Sequence, residues 1–529
     1  MPDLLVVAPI LTNDPARPSA EAALVREGVF ACVGSKAACE RAAGAATVRI
    51  AAGGATPGLA DAHGHVALLG RWRREVSCAG ATSEEECAAR AAERARTAPG
   101  GTWIRGSGWD QNRWPGGRFP SAAALTAALP RHAAALSRVD GHALWVNQAA
   151  LAAAGIDART ADPPGGRILR DAGGRPAGVL LDAAQDLVLA RVPPPGPTEI
   201  EDALVDGLGE IVRLGITSVH DAGVPEDVLA IYRRLAAEDR LPLRVHAMLE
   251  GERPLPELRD GIACARAVPE SGRLAVGAVK LFADGALGSR GAALHDDYAD
   301  EPGNRGLLLA TAEALAEKIA AAARARLQVA VHAIGDRAVT VALDALEAVA
   351  AAGLAVVRPR IEHLQLVLPR HLPRLVRLGV VASMQPAHVA GDGAWIEARL
   401  GTGTARLRGA YAWRTLLRAG VPLAFGSDFP VEDPDPRAGL AAAETRAAPG
   451  GAPFLAEERL SRAESLAAFT SGAAHAVFAE RRRGMVREGM DGDLTLFSGD
   501  LATCPVERLR EMPVTHTIVG GRVEHAADR

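Results

Sequence analysis

Eight short apolar runs, most of them separated by stretches of helical periodicity, predict an α/β fold in the form of a parallel (β/α)8 TIM barrel. Two further observations shape this prediction. About 150 residues separate the first run from the second, far more than one crossover needs, which predicts a large insertion after strand 1. Both chain ends read as short strands without enough apolar length for separate cores, which predicts a small β-sandwich that they share.

Gly, Pro and polar residues bound each predicted barrel strand. The runs cover residues 58–65, 216–221, 243–248, 276–282, 328–332, 360–363, 380–384 and 423–428, and helical patterns at 311–326, 340–352 and 370–378 lie between the later ones. We therefore expect residues 58–480 to form the barrel, with an insertion subdomain at about 69–210. Residues 1–57 and 481–529 are expected to form the two parts of the sandwich.

Composition excludes several classes of function. A formal net charge of -4 and a pI near 6.4 give no reason to expect nucleic acid or an anionic membrane as partner. The N-terminus has no basic region before a long apolar core, and no long uncharged apolar segment follows, so neither a signal peptide nor a membrane span is predicted. The six cysteines show no paired metal-ligand spacing. We expect a cytoplasmic enzyme or binding protein.

The predicted insertion is rich in Gly, Trp and Arg, and includes Trp109, Asp110 and His142. Active sites of such barrels lie at the C-terminal ends of the strands, so an insertion after the first strand would overhang the site. This position predicts a lid or a substrate-recognition subdomain. The alternative is a structural elaboration whose tryptophans pack a small core of their own.

His63 and His65 end the first run, and residues two apart in a strand point to the same face. Both imidazoles would then converge on one point, as a metal site requires. Paired histidines also occur on solvated strands, so this pair alone does not establish a metal site.

Lys280 is the second unusual residue, because the chain has only three lysines among 59 basic residues. It lies near the end of the fourth apolar run, where a charged amine is costly unless it is paired or neutralised. This placement predicts a functional lysine; the alternative is a side chain that extends from the strand end into water.

Further candidate ligands end the later runs: His332 the fifth, His363 the sixth and Asp428 the eighth. One histidine at a strand end is readily explained by packing. Four histidines, a lysine and an aspartate at one end of a barrel are hard to explain in that way, and they predict a metal-dependent active site.

The motifs around these residues resemble the amidohydrolase superfamily, in the branch that includes N-substituted formamide deformylases. The resemblance covers nearly the whole chain and rests on Pro57-Gly58-Leu59 before the paired histidines, Val279-Lys280-Leu-Phe-Ala-Asp284-Gly285, the two single histidines, Gly426-Ser-Asp428-Phe-Pro430 and Gly492-Asp493-Leu494. Phe429 stands where many relatives carry Trp, a difference expected to reshape the pocket.

The resemblance implies two divalent metal ions, most often zinc. His63, His65 and Asp428 would hold one ion, His332 and His363 the other, and a carboxylated Lys280 would bridge them. Without carboxylation, a single ion is expected. The implied reaction is hydrolysis of an amide, N-formyl or N-acyl C–N bond by a metal-activated water, with Asp428 as general base and then acid. A small-molecule amide substrate and a homodimer are also implied.

Five residues are candidate substrate contacts: Trp109, Asp110, His142, Arg290 and His388.

Other functions remain possible for this site. The same site serves hydrolases of cyclic amides, esters or lactones, and also lyases and isomerases, because fold and metal site do not determine the substrate. The alternative that is not an enzyme is a catalytically inactive scaffold protein, and the complete set of ligand residues argues against it.

Overall fold

The computed structural model describes residues 2–266, 272–448 and 450–527, and its central element is a barrel of eight parallel strands that neighbour one another in chain order. The strands are β6 (Leu59–Gly64), β13 (Ile216–Val224), β14 (Arg244–Glu250), β15 (Leu274–Phe282), β16 (Gln328–Ala333), β17 (Arg360–His363), β18 (Val381–Met384) and β19 (Leu423–Phe425). Every predicted run overlaps one of them, which confirms the predicted barrel.

The barrel is nearly closed where the residues after β19 meet β6. The Asp428 N–H donates to the His63 carbonyl at 2.7 Å, and the His65 N–H donates to the Phe429 carbonyl at 2.9 Å. Below them, the buried Asp61 carboxylate accepts the hydroxyl of Ser427 at 2.6 Å. These bonds place Asp428 directly beside the paired histidines.

Helices cover the barrel because their apolar stripes pack against the branched residues of the strands. The buried side chains of Val331 and Ile361 belong to the same core cluster as Leu343 and Leu346 of one covering helix. The helices from the one that precedes the second barrel strand onward are α7 (Pro197–Arg213), α8 (Glu226–Ala237), α9 (Leu255–Arg266), α10 (Ala312–Arg324), α11 (Asp336–Ala351), α12 (Leu372–Leu378), α13 (Pro386–Asp392), α14 (Ile396–Leu400), α15 (Ala405–Arg408), α16 (Trp413–Arg418), α17 (Pro436–Thr445), α18 (Arg462–Ala467) and α19 (Ala473–Ala476). Within the described ranges, no helix is long and apolar enough to cross a bilayer.

A second sheet lies between β6 and β13 in the chain and orders its strands β11-β12-β10-β9-β8-β7. Its elements, with the helix that follows β6, are α2 (Val66–Arg74), β7 (Val76–Ser77), α3 (Glu84–Ala95), β8 (Ile104–Trp109), α4 (Ala122–Ala128), β9 (Ala134–Arg138), β10 (Ala143–Val146), α5 (Gln148–Ala154), β11 (Gly166–Arg170), β12 (Pro176–Asp182) and α6 (Asp186–Leu189). Trp109, Trp114 and Trp145 fill its core. Buried aromatic area of this kind gives the insertion a core of its own.

The chain ends build a third sheet together, because β5 pairs antiparallel with β20. Its elements are β1 (Leu4–Asp14), β2 (Arg17–Arg26), β3 (Val29–Gly34), α1 (Lys36–Ala42), β4 (Val48–Ala51), β5 (Gly54–Pro57), β20 (Leu494–Phe497), β21 (Val514–Val519) and β22 (Arg522–Ala526). The pairing confirms that the two ends share one β structure.

Candidate active site at the mouth of the barrel

A cavity of about 1590 Å³ opens at the C-terminal ends of the barrel strands. The structure brings all six predicted metal ligands to its wall: His63, His65, Lys280, His332, His363 and Asp428. Five of them are buried, and His65 is partly exposed. The cavity lies where a barrel of this kind carries its active site.

Within this cavity, His63, His363 and Asp428 each offer a ligand atom, and these atoms lie within 4.8 Å of one another. His65 Nε2 is 3.2 Å from Asp428 Oδ1. The ring of His332 adjoins that of His363, with 4.5 Å between centroids. The closest group therefore combines residues from both predicted metal sites, and the four rings and the carboxylate surround a common space.

Hydrogen bonds fix which ring nitrogen of each histidine faces this space. In each ring one nitrogen lies near an acceptor, which takes its N–H and leaves the lone pair of the other nitrogen available to a metal. The acceptors are Glu362 Oε2 for His63 Nδ1 at 2.5 Å, Ala222 O for His65 Nδ1 at 2.9 Å, Gln385 Oε1 for His363 Nδ1 at 2.9 Å and Gly285 O for His332 Nε2 at 3.3 Å. With the protons assigned in this way, the lone pair is on Nε2 of three histidines and on Nδ1 of His332.

Two further properties of these histidines fit a metal. The Nε2 atom of His63 is buried and has no hydrogen-bond partner among the described residues. Burial also lowers the pKa of His63, His332 and His363, so the neutral imidazole that a metal binds is the form present at neutral pH. The donor set of nitrogen and carboxylate oxygen is one that zinc accepts.

Glu362 orients His63 from below and was not predicted from the sequence. Burial alone would raise the pKa of this carboxyl, but Arg360 and His63 outweigh burial and lower it to about 2. Arg360 Nε lies 2.7 Å from Glu362 Oε1, and both side chains are completely buried. One signal was available, since alternate residues of β17 share a face and two charged residues on an interior face require a partner.

Lys280 points into the cavity, with Nζ 3.8 Å from the centroid of the Phe282 ring. Burial lowers the pKa of its ammonium to about 8, although Glu362 and Asp428 act in the opposite direction. A lysine of this pKa holds a useful fraction of unprotonated amine near neutral pH.

Asp428 and His363 both adopt left-handed backbone conformations, with φ of 61° and 71°. Such conformations are uncommon for residues other than glycine and concentrate at functional sites. Burial alone would raise the pKa of Asp428, but His65 and His63 outweigh it and hold the pKa well below its ordinary value. The carboxylate is therefore ionised.

Three of the five predicted substrate contacts line the cavity: Asp110, His142 and His388. His142 Nδ1 is 2.8 Å from Asp182 Oδ1, so an aspartate at the end of β12 orients a histidine that the insertion extends over the barrel. Asp110 lies 2.5 Å from Arg138 Nη2, so its charge already has a partner. Neither Asp182 nor Arg138 was among the candidates.

The other two predicted contacts lie elsewhere. Trp109 packs in the core of the insertion, where its Nε1–H donates to the Leu136 carbonyl at 2.7 Å. Arg290 forms ion pairs with Asp300 at 2.8 Å and with Glu301 at 3.3 Å. Both residues therefore have structural partners in this structure.

This structure has the fold and site of a metal-dependent hydrolase: a parallel barrel with four histidines, a lysine and an aspartate at its mouth. The model of the amidohydrolase family matches residues 51–525, and the chain belongs to that family. It is thus an enzyme, a hydrolase acting on carbon–nitrogen bonds other than peptide bonds.

Individual proteins agree with this assignment. The chain is 32% identical to the protein YtcJ of Bacillus subtilis (strain 168), with 95% of each chain covered. It is 29% identical to N-substituted formamide deformylase of Arthrobacter pascens, with 98% of each chain covered. A solved structure of an uncharacterized metal-dependent hydrolase from Pyrococcus horikoshii OT3 superimposes with a TM-score of 0.77 at 25% identity, covering 95% of this chain and 99% of that one.

Proposed function

We propose that this enzyme hydrolyses the C–N bond of a small N-formyl or N-acyl amide with the help of two divalent metal ions, zinc in the first place. The observation that carries the proposal is the convergence of four histidine rings, an ionised Asp428 and a buried Lys280 on one cavity. The likeness to N-substituted formamide deformylase supports the N-formyl class of substrate.

His63, His65 and Asp428 would hold one ion, and His332 and His363 the other. Two cations held by neighbouring ligand sets would repel each other unless an anionic group lay beside both, and an ammonium group cannot serve. The unprotonated Nζ of Lys280 can attack the carbon of carbon dioxide and lose a proton, which gives an anionic carbamate with two oxygen donors. When bound, the ions supply positive charge that polarises a carbonyl and lowers the pKa of a water molecule.

Asp428 moves the proton in this reaction. Its carboxylate accepts a proton as the water oxygen adds to the carbonyl carbon of the substrate. When the C–N bond breaks, Asp428 returns that proton to the departing amine nitrogen, and the acyl part leaves as a carboxylic acid. The neighbouring imidazoles of His63 and His65 favour the ionised form of Asp428 before the reaction begins.

A panel of N-formyl, N-acyl and cyclic amides, with esters and lactones beside them, tests the proposal on zinc-loaded protein. We expect turnover of acyclic amides that chelation abolishes and added zinc restores. Preference for lactones or cyclic amides would favour the alternative hydrolase reading. Zinc binding without turnover of any hydrolysable substrate would contradict the proposed reaction.

A further inference from the structure

His388 has a buried ring nitrogen that nothing in the described protein satisfies. It lies in the first turn of α13, just after β18, and its side chain lines the cavity. Nε2 has no hydrogen-bond partner among the described residues, and the residue is 7% exposed. A buried polar atom without a partner costs free energy, so its presence at a cavity wall points to a partner that arrives from the cavity.

The other ring nitrogen of His388 identifies Nε2 as a donor. Gln365 Nε2 lies 3.2 Å from His388 Nδ1, and an amide nitrogen can only donate. With the amide nitrogen placed in this way, Nδ1 accepts and the N–H of the ring is at Nε2. The ring thus offers an N–H donor at the cavity wall.

The position of this donor relative to Asp428 fits a catalytic role. His388 Nε2 is 3.9 Å from Asp428 Oδ2, too far for a hydrogen bond. The ring is also stacked on that of His363, with 17° between the planes and 6.3 Å between centroids. Proton acceptor and N–H donor therefore stand side by side, and both remain available to a substrate.

We propose that the Nε2–H of His388 donates a hydrogen bond to the carbonyl oxygen of the substrate and stabilises the negative charge that this oxygen acquires when water adds to the carbonyl carbon. The inference rests on the proposed function, because it assigns a donor to the oxyanion of that reaction. Donors placed in advance at such an oxygen are among the strongest contributors to catalysis. Gln365 is then a positioning residue, because it acts by fixing the tautomer of His388.

Binding of methylphosphonate, a tetrahedral anion, tests the donor without requiring turnover. We would titrate it by calorimetry into zinc-loaded full-length wild type, His388→Leu and His388→Gln. Leucine has no donor, so we expect its affinity to fall at least about tenfold, the loss of one hydrogen bond to a charged group. Glutamine places an N–H at similar reach and should recover most of the affinity. Zinc content and melting temperature should match those of the wild type in both variants.

His132→Leu is the matched control, since His132 is equally buried but bonds to the Thr102 carbonyl inside the insertion. It should bind methylphosphonate as the wild type does. Unchanged affinity in His388→Leu, no binding by the wild type, or loss of zinc from His388→Leu would each overturn the proposal, the last because it would make His388 a metal ligand.

The amide panel keeps this inference distinct from the proposed function. If a panel substrate is turned over, His388→Leu should lower its kcat by about 100-fold with little change in KM, the size reported for loss of one oxyanion donor. If no amide is hydrolysed, the proposed reaction fails. The contrast in phosphonate affinity still decides whether His388 is a donor to a tetrahedral anion.

Discussion

Replacing Glu362 with Gln should weaken both metal binding and folding, because this buried carboxylate serves both. It accepts from His63 at 2.5 Å and pairs with Arg360 at 2.7 Å. Loss of a residue that orients a metal ligand lowers metal affinity by about 10- to 100-fold. An uncompensated buried charge, here Arg360, lowers the free energy of unfolding by about 3–5 kcal/mol. We expect both effects in Glu362→Gln.

The double variant Arg360→Met with Glu362→Gln distinguishes the two effects. Removing both charges should restore much of the stability, because Arg360 is then no longer left as an unpaired buried charge. It should not restore zinc affinity, because His63 remains without its carboxylate. Zinc affinity would be measured by chelator competition, and stability by urea unfolding of the metal-free protein. Wild-type zinc affinity in Glu362→Gln would refute the role assigned to this residue.

Three further predictions concern the cavity. Lys280→Ala should lose most activity and at least one equivalent of metal, and high concentrations of acetate or propionate should restore part of both. Lys280→Arg should not replace the lysine, because guanidinium stays protonated. Full metal content in Lys280→Ala would exclude a bridging role. The pKa of Lys280 is lowered to about 8 from an ordinary value of about 10.4, so between these pH values the folded metal-free protein binds fewer protons than the unfolded chain. The free energy of unfolding should therefore rise with pH across that window, and Lys280→Met should flatten this rise. His142→Ala should change the order of preference across the amide panel with zinc content unchanged, because the insertion places this ring at the cavity; an unchanged order would make His142 structural.

The barrel could be predicted because each of its strands is a short apolar run between polar turns, and the residues that gather at the cavity because they stand at the ends of those runs. Glu362 was missed because a carboxylate beside Arg360 reads as a polar flank, and only the closed barrel shows that both side chains point inward. His142 and Asp182 are 40 residues apart, a pairing that no local pattern indicates.

Trp109 and Arg290 were predicted as substrate contacts, but in the structure both have partners outside the cavity. Both stand in Gly-rich segments that indicate a loop near the site. Their partners, Leu136 for the indole and Asp300 for the guanidinium, are fixed by the packing of the insertion and of the loop after β15. Side-chain direction within such segments depends on tertiary contacts, which a single sequence does not display.

The metal content of the purified protein tests the central claim most directly. Protein expressed with zinc, passed over a desalting column and measured by inductively coupled plasma mass spectrometry should contain close to two equivalents. His63→Ala and His332→Ala should each contain less, since each removes a ligand that the structure directs at the cavity. Wild-type protein without stoichiometric metal, or variants that keep the full complement, would contradict the assignment of this cavity as a metal-dependent active site.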